Sequence, residues 1–166
     1  QWGYLTSCPT NVGTGMRASA MLHLPAISAS GQIGAIMQAV AKLGLTVRGL
    51  YGEGSEAQGD LYQLSNQVTL GRSEDDVIRS LQAATEQIVG HERAMRERLE
   101  KKDMYALQDR LLRSWGEASS ARLMSAKELM RRYSDIRYAA GMGYLHAPLR
   151  GLDKLMMDLQ PGSLGV

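Results

Sequence analysis

Phenylalanine is absent from the 166 residues, cysteine occurs once and proline four times. The lone Cys8 cannot close a disulfide within the chain, which excludes a small disulfide-stapled scaffold and fits a reducing, cytoplasmic setting. No apolar run approaches the roughly 20 residues that a membrane-spanning helix needs, so no membrane partner is expected. The start, Gln1-Trp2-Gly3-Tyr4, has neither the basic n-region nor the apolar h-region of a secretory signal. It also lacks an initiator methionine, so the chain is expected to be processed or excised from something longer. Excess charge is scarce as well. The net +2 is too small to imply a nucleic-acid partner. His23 and His91 stand alone, without ligand spacing, so no metal site is expected. Internal repeats, low-complexity stretches and linkers are missing, and the whole of residues 1–166 reads as one domain with a real core. Methionine is abundant, at ten residues. It fills irregular cores and points to no activity.

The first seventy or so residues read as mixed strand and helix. Trp2 to Thr6 is a short strand candidate. Ala18 to Leu24 alternates, with Ala20, Leu22 and Leu24 on one face and Ser19, Met21 and His23 on the other, and Pro25 ends it. Ser28 or Ser30 can cap a helix through Ile33, Ile36, Met37, Val40 and Leu43, stopped at Gly44. Leu45 to Leu50 is a strand. Leu61 to Leu64 and Gln67 to Leu70 are expected to pair as a hairpin around Ser65-Asn66. After Gly71 the pattern turns helical. Ser73 with Glu74, Asp75 and Asp76 suits a helix start, followed by Val77, Leu81, Ala84 and Ile88. The charged run His91 to Lys102 reads as a solvated face pinned by Met95 and Leu99. A further helix carries Leu107, Leu111 and Trp115. Ser125 and Glu128 form a capping box that opens a helix through Leu129, Tyr133 and Ile136, broken at Gly141 and Gly143. Leu152, Leu155, Met156 and Leu159 suggest a last helix, stopped at Pro161. The fold class is therefore α+β: part of an antiparallel sheet in residues 1–71, covered by helices, with residues 72–166 mainly helical.

Two loops couple glycines to an arginine beside a strand: Asn11-Val12-Gly13-Thr14-Gly15-Met16-Arg17 and Arg48-Gly49-Leu50-Tyr51-Gly52-Glu53. Glycine lets backbone N–H groups approach an anion, and arginine adds a planar, permanently charged fork matched to phosphate oxygens. Phosphoryl transfer uses this combination, because its catalysis is mostly positioning and charge neutralisation. Neither loop is a Walker loop or a dinucleotide fingerprint. Taken singly, each reads as an ordinary turn with a solvated arginine, Cys8 as a small buried hydrophobe and Glu53 as a solvated loop carboxylate.

The two loops together resemble a known family. Cys8-Pro9-Thr10-Asn11-Val12-Gly13-Thr14 is similar to the Cys-Pro-(Ser/Thr)-Asn-x-Gly-Thr segment of the phosphagen (guanidino) kinases. Arg48-Gly49-x-x-Gly52-Glu53, Glu56, Ser65-Asn66 and Leu70-Gly71 follow that family's second hallmark in order and spacing. The helical remainder, including Arg113-Ser114-Trp115-Gly116, looks like the McsB-type bacterial protein-arginine kinases. Against the small-molecule kinases, Gly-Glu-His-Thr-Glu reads Gly52-Glu53-Gly54-Ser55-Glu56 here. Tyr-Asp-Ile-Ser-Asn reads Tyr62-Gln63-Leu64-Ser65-Asn66, and a strand histidine falls at Met21.

The resemblance implies the C-terminal part of a catalytic domain. It implies transfer of a phosphoryl group from ATP, with Mg2+ held mainly by the nucleotide phosphates, to arginine side chains of proteins. Arg17 and Arg48 would clamp the phosphates, helped by backbone N–H groups of Gly49, Leu50, Tyr51 and Gly52. Glu53 would hold the substrate guanidinium and take its proton, and Cys8, as a thiolate, would orient the same group. The resemblance also implies protein substrates with exposed arginine, with a heat-shock repressor and a Clp protease system as partners, and admits a homodimer of the intact enzyme. Family members carry further phosphate-binding arginines and a second catalytic carboxylate in an N-terminal portion, so these 166 residues are expected to be inactive alone. Two rivals stand beside this reading: a kinase for free arginine or another small guanidine, and a non-catalytic nucleotide-binding or regulatory module with the same fold.

Overall fold

The computed structural model describes residues 12–50 and 57–158. The strand candidate Trp2 to Thr6 and the helix stop at Pro161 lie outside them. The described residues form two compact units, one of residues 12–50, 57 and 61–95, the other of residues 58–60 and 96–158. The fold is α+β, a small antiparallel sheet followed by helices.

In the first unit, strand β1 (Ser19–His23) leads through Leu24 into a short helix α1 (Pro25–Ala29), then α2 (Ile33–Ala41), β2 (Leu45–Gly49) and β3 (Leu61–Asn66). The order across the sheet is β1-β3-β2, all antiparallel. Pro25 stops the ladder, as its missing N–H predicts, and its fixed φ then suits the first turn of α1. One sheet face is the core: Leu22, Leu45, Val47, Tyr62 and Leu64 are buried together with Leu24 and Ile27. Each such side chain contributes on the order of 1.5–3 kcal/mol by leaving water. Helix α3 (Glu74–Lys102) supplies Val77, Leu81, Ala84 and Ile88 to the buried set of this unit, the spacing read from the sequence.

Three expectations need correction here. The hairpin around Ser65-Asn66 does not form. Both residues belong to β3, at 2% and 7% exposure, and β3 is the central strand. Gln67 to Leu70 leaves the sheet, with the Gln67 N–H donating to the Gly44 carbonyl at 2.9 Å. The apolar residues that suggested a second strand, Val68 and Leu70, are exposed. Ser28 and Ser30 do not cap α2, because they sit in and just after α1. Ser28 Oγ lies 2.7 Å from Tyr62 Oη, and Ser30 Oγ donates to the Ile27 carbonyl at 2.8 Å. The run from His91 is not wholly solvated either. Glu92 is buried and its two carboxylate oxygens accept from the Ala26 and Ile27 N–H groups at 3.1 and 3.0 Å. These are orphan donors of the first turn of α1, which has no side-chain cap of its own.

The second unit holds α4 (Met104–Ser120), α5 (Ala126–Gly141), α6 (Leu149–Asp158), the end of α3 and a 3-10 turn at Gln58–Asp60. Asp103 alone separates α3 from α4 and caps the latter, accepting from the Ala106 N–H at 3.0 Å. Ser125 caps α5, accepting from Glu128 N–H at 3.2 Å, while the Glu128 carboxylate lies 3.8 Å from Arg132. Leu107 and Leu111 are buried as expected, but the third residue of that face is Ser114, not the half-exposed Trp115. At about 100° per residue, position 114 returns to the Leu107–Leu111 stripe while 115 falls to its margin. Ser114 Oγ donates to Asp135 at 2.7 Å. The 3-10 turn lies so close to α5 that a Cβ on Gly59 would meet the Met130 carbonyl at 2.7 Å. Asp60 accepts there from Ser134 Oγ. Asp153 ties α6 to α5, accepting from Tyr133 Oη and Arg137 Nε, both at 2.7 Å.

Candidate active site

Cross-strand partners share a sheet face. Met21 pairs with Gln63 and Gln63 with Arg48, so these three side chains form one row across the sheet, on the face opposite the core. Ser19, Ser65 and Thr46 form the next row. Arg48 and Met21 are exposed at the two ends of the first row, with Gln63 between them. Two of the departures from the small-molecule kinases, Met21 and Gln63, are therefore direct neighbours of each other, and Gln63 of Arg48. Beyond Arg48, the Leu50 N–H donates to the Leu61 carbonyl at 2.8 Å. That N–H, expected on a phosphate, is committed to the sheet. By the alternation of an antiparallel ladder, the Gly49 N–H is directed away from β3.

Arg17 precedes β1 by two residues, in phase with Ser19, and its side chain is exposed. The loop that carries it is fastened to the segment just after β3. Thr69 Oγ1 donates to the Val12 carbonyl at 2.7 Å. Gly13 has φ +100°, and a Cβ there would stand 2.4 Å from the Thr69 carbonyl oxygen, so only glycine fits. Met16 N–H donates to Thr14 Oγ1 at 3.3 Å. Asn66 then takes hold on both sides of the arginine: Oδ1 accepts from the Ala18 N–H at 2.8 Å and Nδ2 donates to the Met16 carbonyl at 3.0 Å.

Arg48 thus lies on one outer strand of the described sheet, and Arg17 two residues before the other, β1, four positions along from Met21, which stands across β3 from Arg48. Neither guanidinium makes an ion pair with a described residue. Two exposed permanent cations on this side of the sheet, with the Gly49 N–H directed away from β3, suit an extended polyanion. Cys8, Tyr51, Gly52 and Glu53 lie outside the described residues. Among the described residues no cluster of three His, Cys, Asp or Glu could hold a metal ion, and no helix is long and apolar enough to cross a membrane.

Residues 1–95 match the family model of the ATP:guanido phosphotransferase C-terminal catalytic domain, and residues 104–165 that of the protein-arginine kinase McsB C-terminal domain. The two matches meet near the division between the compact units at Met95 and Arg96. A protein-arginine kinase of Caldanaerobacter subterraneus is 51% identical over 98% of this chain and 48% of its own length. The protein-arginine kinase of Syntrophomonas wolfei is 50% identical over 98% of this chain and 45% of its own. That of Shouchella clausii is 48% identical over 99% and 46%. The chain spans about half the length of these relatives. With a family match over more than half of its residues, the chain belongs to the ATP:guanido phosphotransferase family.

Proposed function

We propose that the intact enzyme transfers the γ-phosphoryl group of ATP to arginine side chains of proteins. The observation that carries this reading is the identity of about half, along nearly the whole chain, to proteins named protein-arginine kinase. The geometry agrees with it. Arg17 and Arg48 hold the phosphate chain from two sides, and Gly49 adds a backbone donor. A guanidinium nitrogen attacks the γ-phosphorus, a P–N bond forms, and the P–O bond to the departing ADP breaks. Guanidinium is a cation, a very weak acid and a poor nucleophile, so an anion must align it and accept the proton it loses. Glu53 takes that proton in this reading, and Cys8 orients the guanidinium as a thiolate, favoured by neighbouring arginines. The residues of the Arg48 face suit phosphates rather than a metal, and magnesium brought by the nucleotide would help neutralise the phosphate charge.

The partners that follow are ATP and proteins with exposed arginines, with a heat-shock repressor and a Clp protease as the resemblance suggests, in the cytoplasm.

Glu53→Gln tests the chemical assignment. The substitution keeps shape and removes the charge, and Glu53 stands between Gly52 and Gly54 in the sequence. In the intact enzyme the melting temperature and ATP affinity should stay near wild type while turnover falls by about a hundredfold or more, the scale of a lost general base. An unfolded variant or an unchanged rate would show that Glu53 is not the base.

A further inference from the structure

Among the described residues, the side chain of Asn66 bonds to both neighbours of Arg17. Its amide accepts from the Ala18 N–H and donates to the Met16 carbonyl, and its own N–H donates to the Ala18 carbonyl at 3.3 Å. One buried residue therefore fixes the backbone on either side of an exposed arginine. Asn66 is well suited to this. It ends the central strand, so its backbone is held by the sheet. Its amide offers a donor and an acceptor in one plane, and β1 begins two residues after Arg17. A serine or alanine at 66 could not reach both groups.

We infer that Asn66 is a positioning residue for phosphoryl transfer, acting through Arg17 and touching no substrate itself. This rests on the reading of Arg17 as a phosphate ligand. An arginine on a loop gains its electrostatic effect only if its fork is held where the phosphate oxygens lie, because misplacement by about 1 Å can cost a hundredfold in rate. Asn66 supplies that hold from the strand next to β1, through the backbone on either side of Arg17, and leaves the exposed guanidinium itself untouched.

A double-variant cycle in the intact enzyme tests it, with Arg17→Ala, Asn66→Ala and the two combined. Asn66→Asp is the second probe, since it keeps the size and the bond from Ala18 N–H but loses the donor to the Met16 carbonyl. Turnover, KM for ATP, and affinity for ADP and for adenosine are measured. Asn66→Ala should lower turnover by roughly ten- to a hundredfold, with Asn66→Asp also impaired. Affinity for ADP should weaken while that for adenosine, which lacks phosphates, stays unchanged. In the Arg17→Ala background, Asn66→Ala should cost less than about twofold more, because coupled residues are not additive. Losses that multiply in the double variant, or equal weakening of ADP and adenosine, would overturn the inference while leaving Arg17 as a phosphate ligand. An Arg17→Ala enzyme with wild-type turnover would instead remove the phosphate reading of Arg17, and the inference with it.

Discussion

Arg48 ends a row of three side chains on an outer strand and lacks an ion-pair partner among the described residues. Replacing it should therefore cost the fold little and the chemistry much. Arg48→Ala in the intact enzyme is expected to fold normally and lose several orders of magnitude in turnover, since charge stabilisation of transferring phosphates contributes on the order of several kcal/mol. Arg48→Lys should recover only part of that, because a point charge lacks the two-pronged donor. Steady-state rates beside a melting curve decide the matter, and near-normal turnover in a folded Arg48→Ala protein contradicts the assignment. Arg17 and Arg48 stand out in the sequence as candidates because arginines near glycines beside strands are a local pattern. Asn66 does not. A Ser-Asn pair has strong turn preference, and nothing local shows that Met16 and Ala18, about fifty positions earlier, supply partners that hold the pair in a strand. Glu92 was hidden for the same reason: within a run of charges, only the tertiary position of α1 distinguishes the buried carboxylate from the solvated ones.

Helix α3 shows both outcomes within one element. Its start was readable: Ser73 Oγ accepts from the Asp76 N–H at 3.2 Å and donates to the Asp76 carboxylate, which also accepts from the Ser73 N–H. These bonds, with Ser73 first and the Arg79 pair after it, hold the Asp76 carboxyl down at about 2, below the ordinary aspartate value. A lowered carboxylate pKa stabilises the fold above its unfolded value and is lost as pH falls through the folded one, so the window is pH 4 down to about 2. Carboxyl carbon shifts followed by NMR should show Asp76 titrating near 2, and near the ordinary value in Ser73→Ala. Further along α3, Glu92→Leu should destabilise the protein by about 2–3 kcal/mol in urea unfolding. It orphans two backbone donors at the start of α1, and a buried unsatisfied group costs that much. A change within ~0.5 kcal/mol would mean that water or another group replaces the carboxylate. The helical half was readable in outline because period 3.6 is strong over α4 and α5. Ser114 escaped because its burial depends on Asp135, an acceptor on another helix.

At the scale of the whole chain, secondary structure changes near Gly71, but the compact units divide at Met95 and Arg96, inside α3. Composition marks the first boundary and cannot mark the second, because a continuous helix carries no break in pattern. The family matches divide at nearly the same place as the units, so the sheet-bearing half carries the phosphotransferase resemblance and the helical half the protein-arginine kinase resemblance. The account joins the two halves in one claim: guanidino-kinase chemistry directed to arginine in proteins. The most direct test is to incubate the intact enzyme with magnesium-ATP, a protein substrate and, separately, free arginine, and to search for phosphoarginine by mass spectrometry at near-neutral pH, where the acid-labile P–N bond survives. The account predicts phosphoarginine on the protein, abolished by Glu53→Gln and Arg48→Ala. Phosphorylation of free arginine alone, with the protein unmodified, would contradict it.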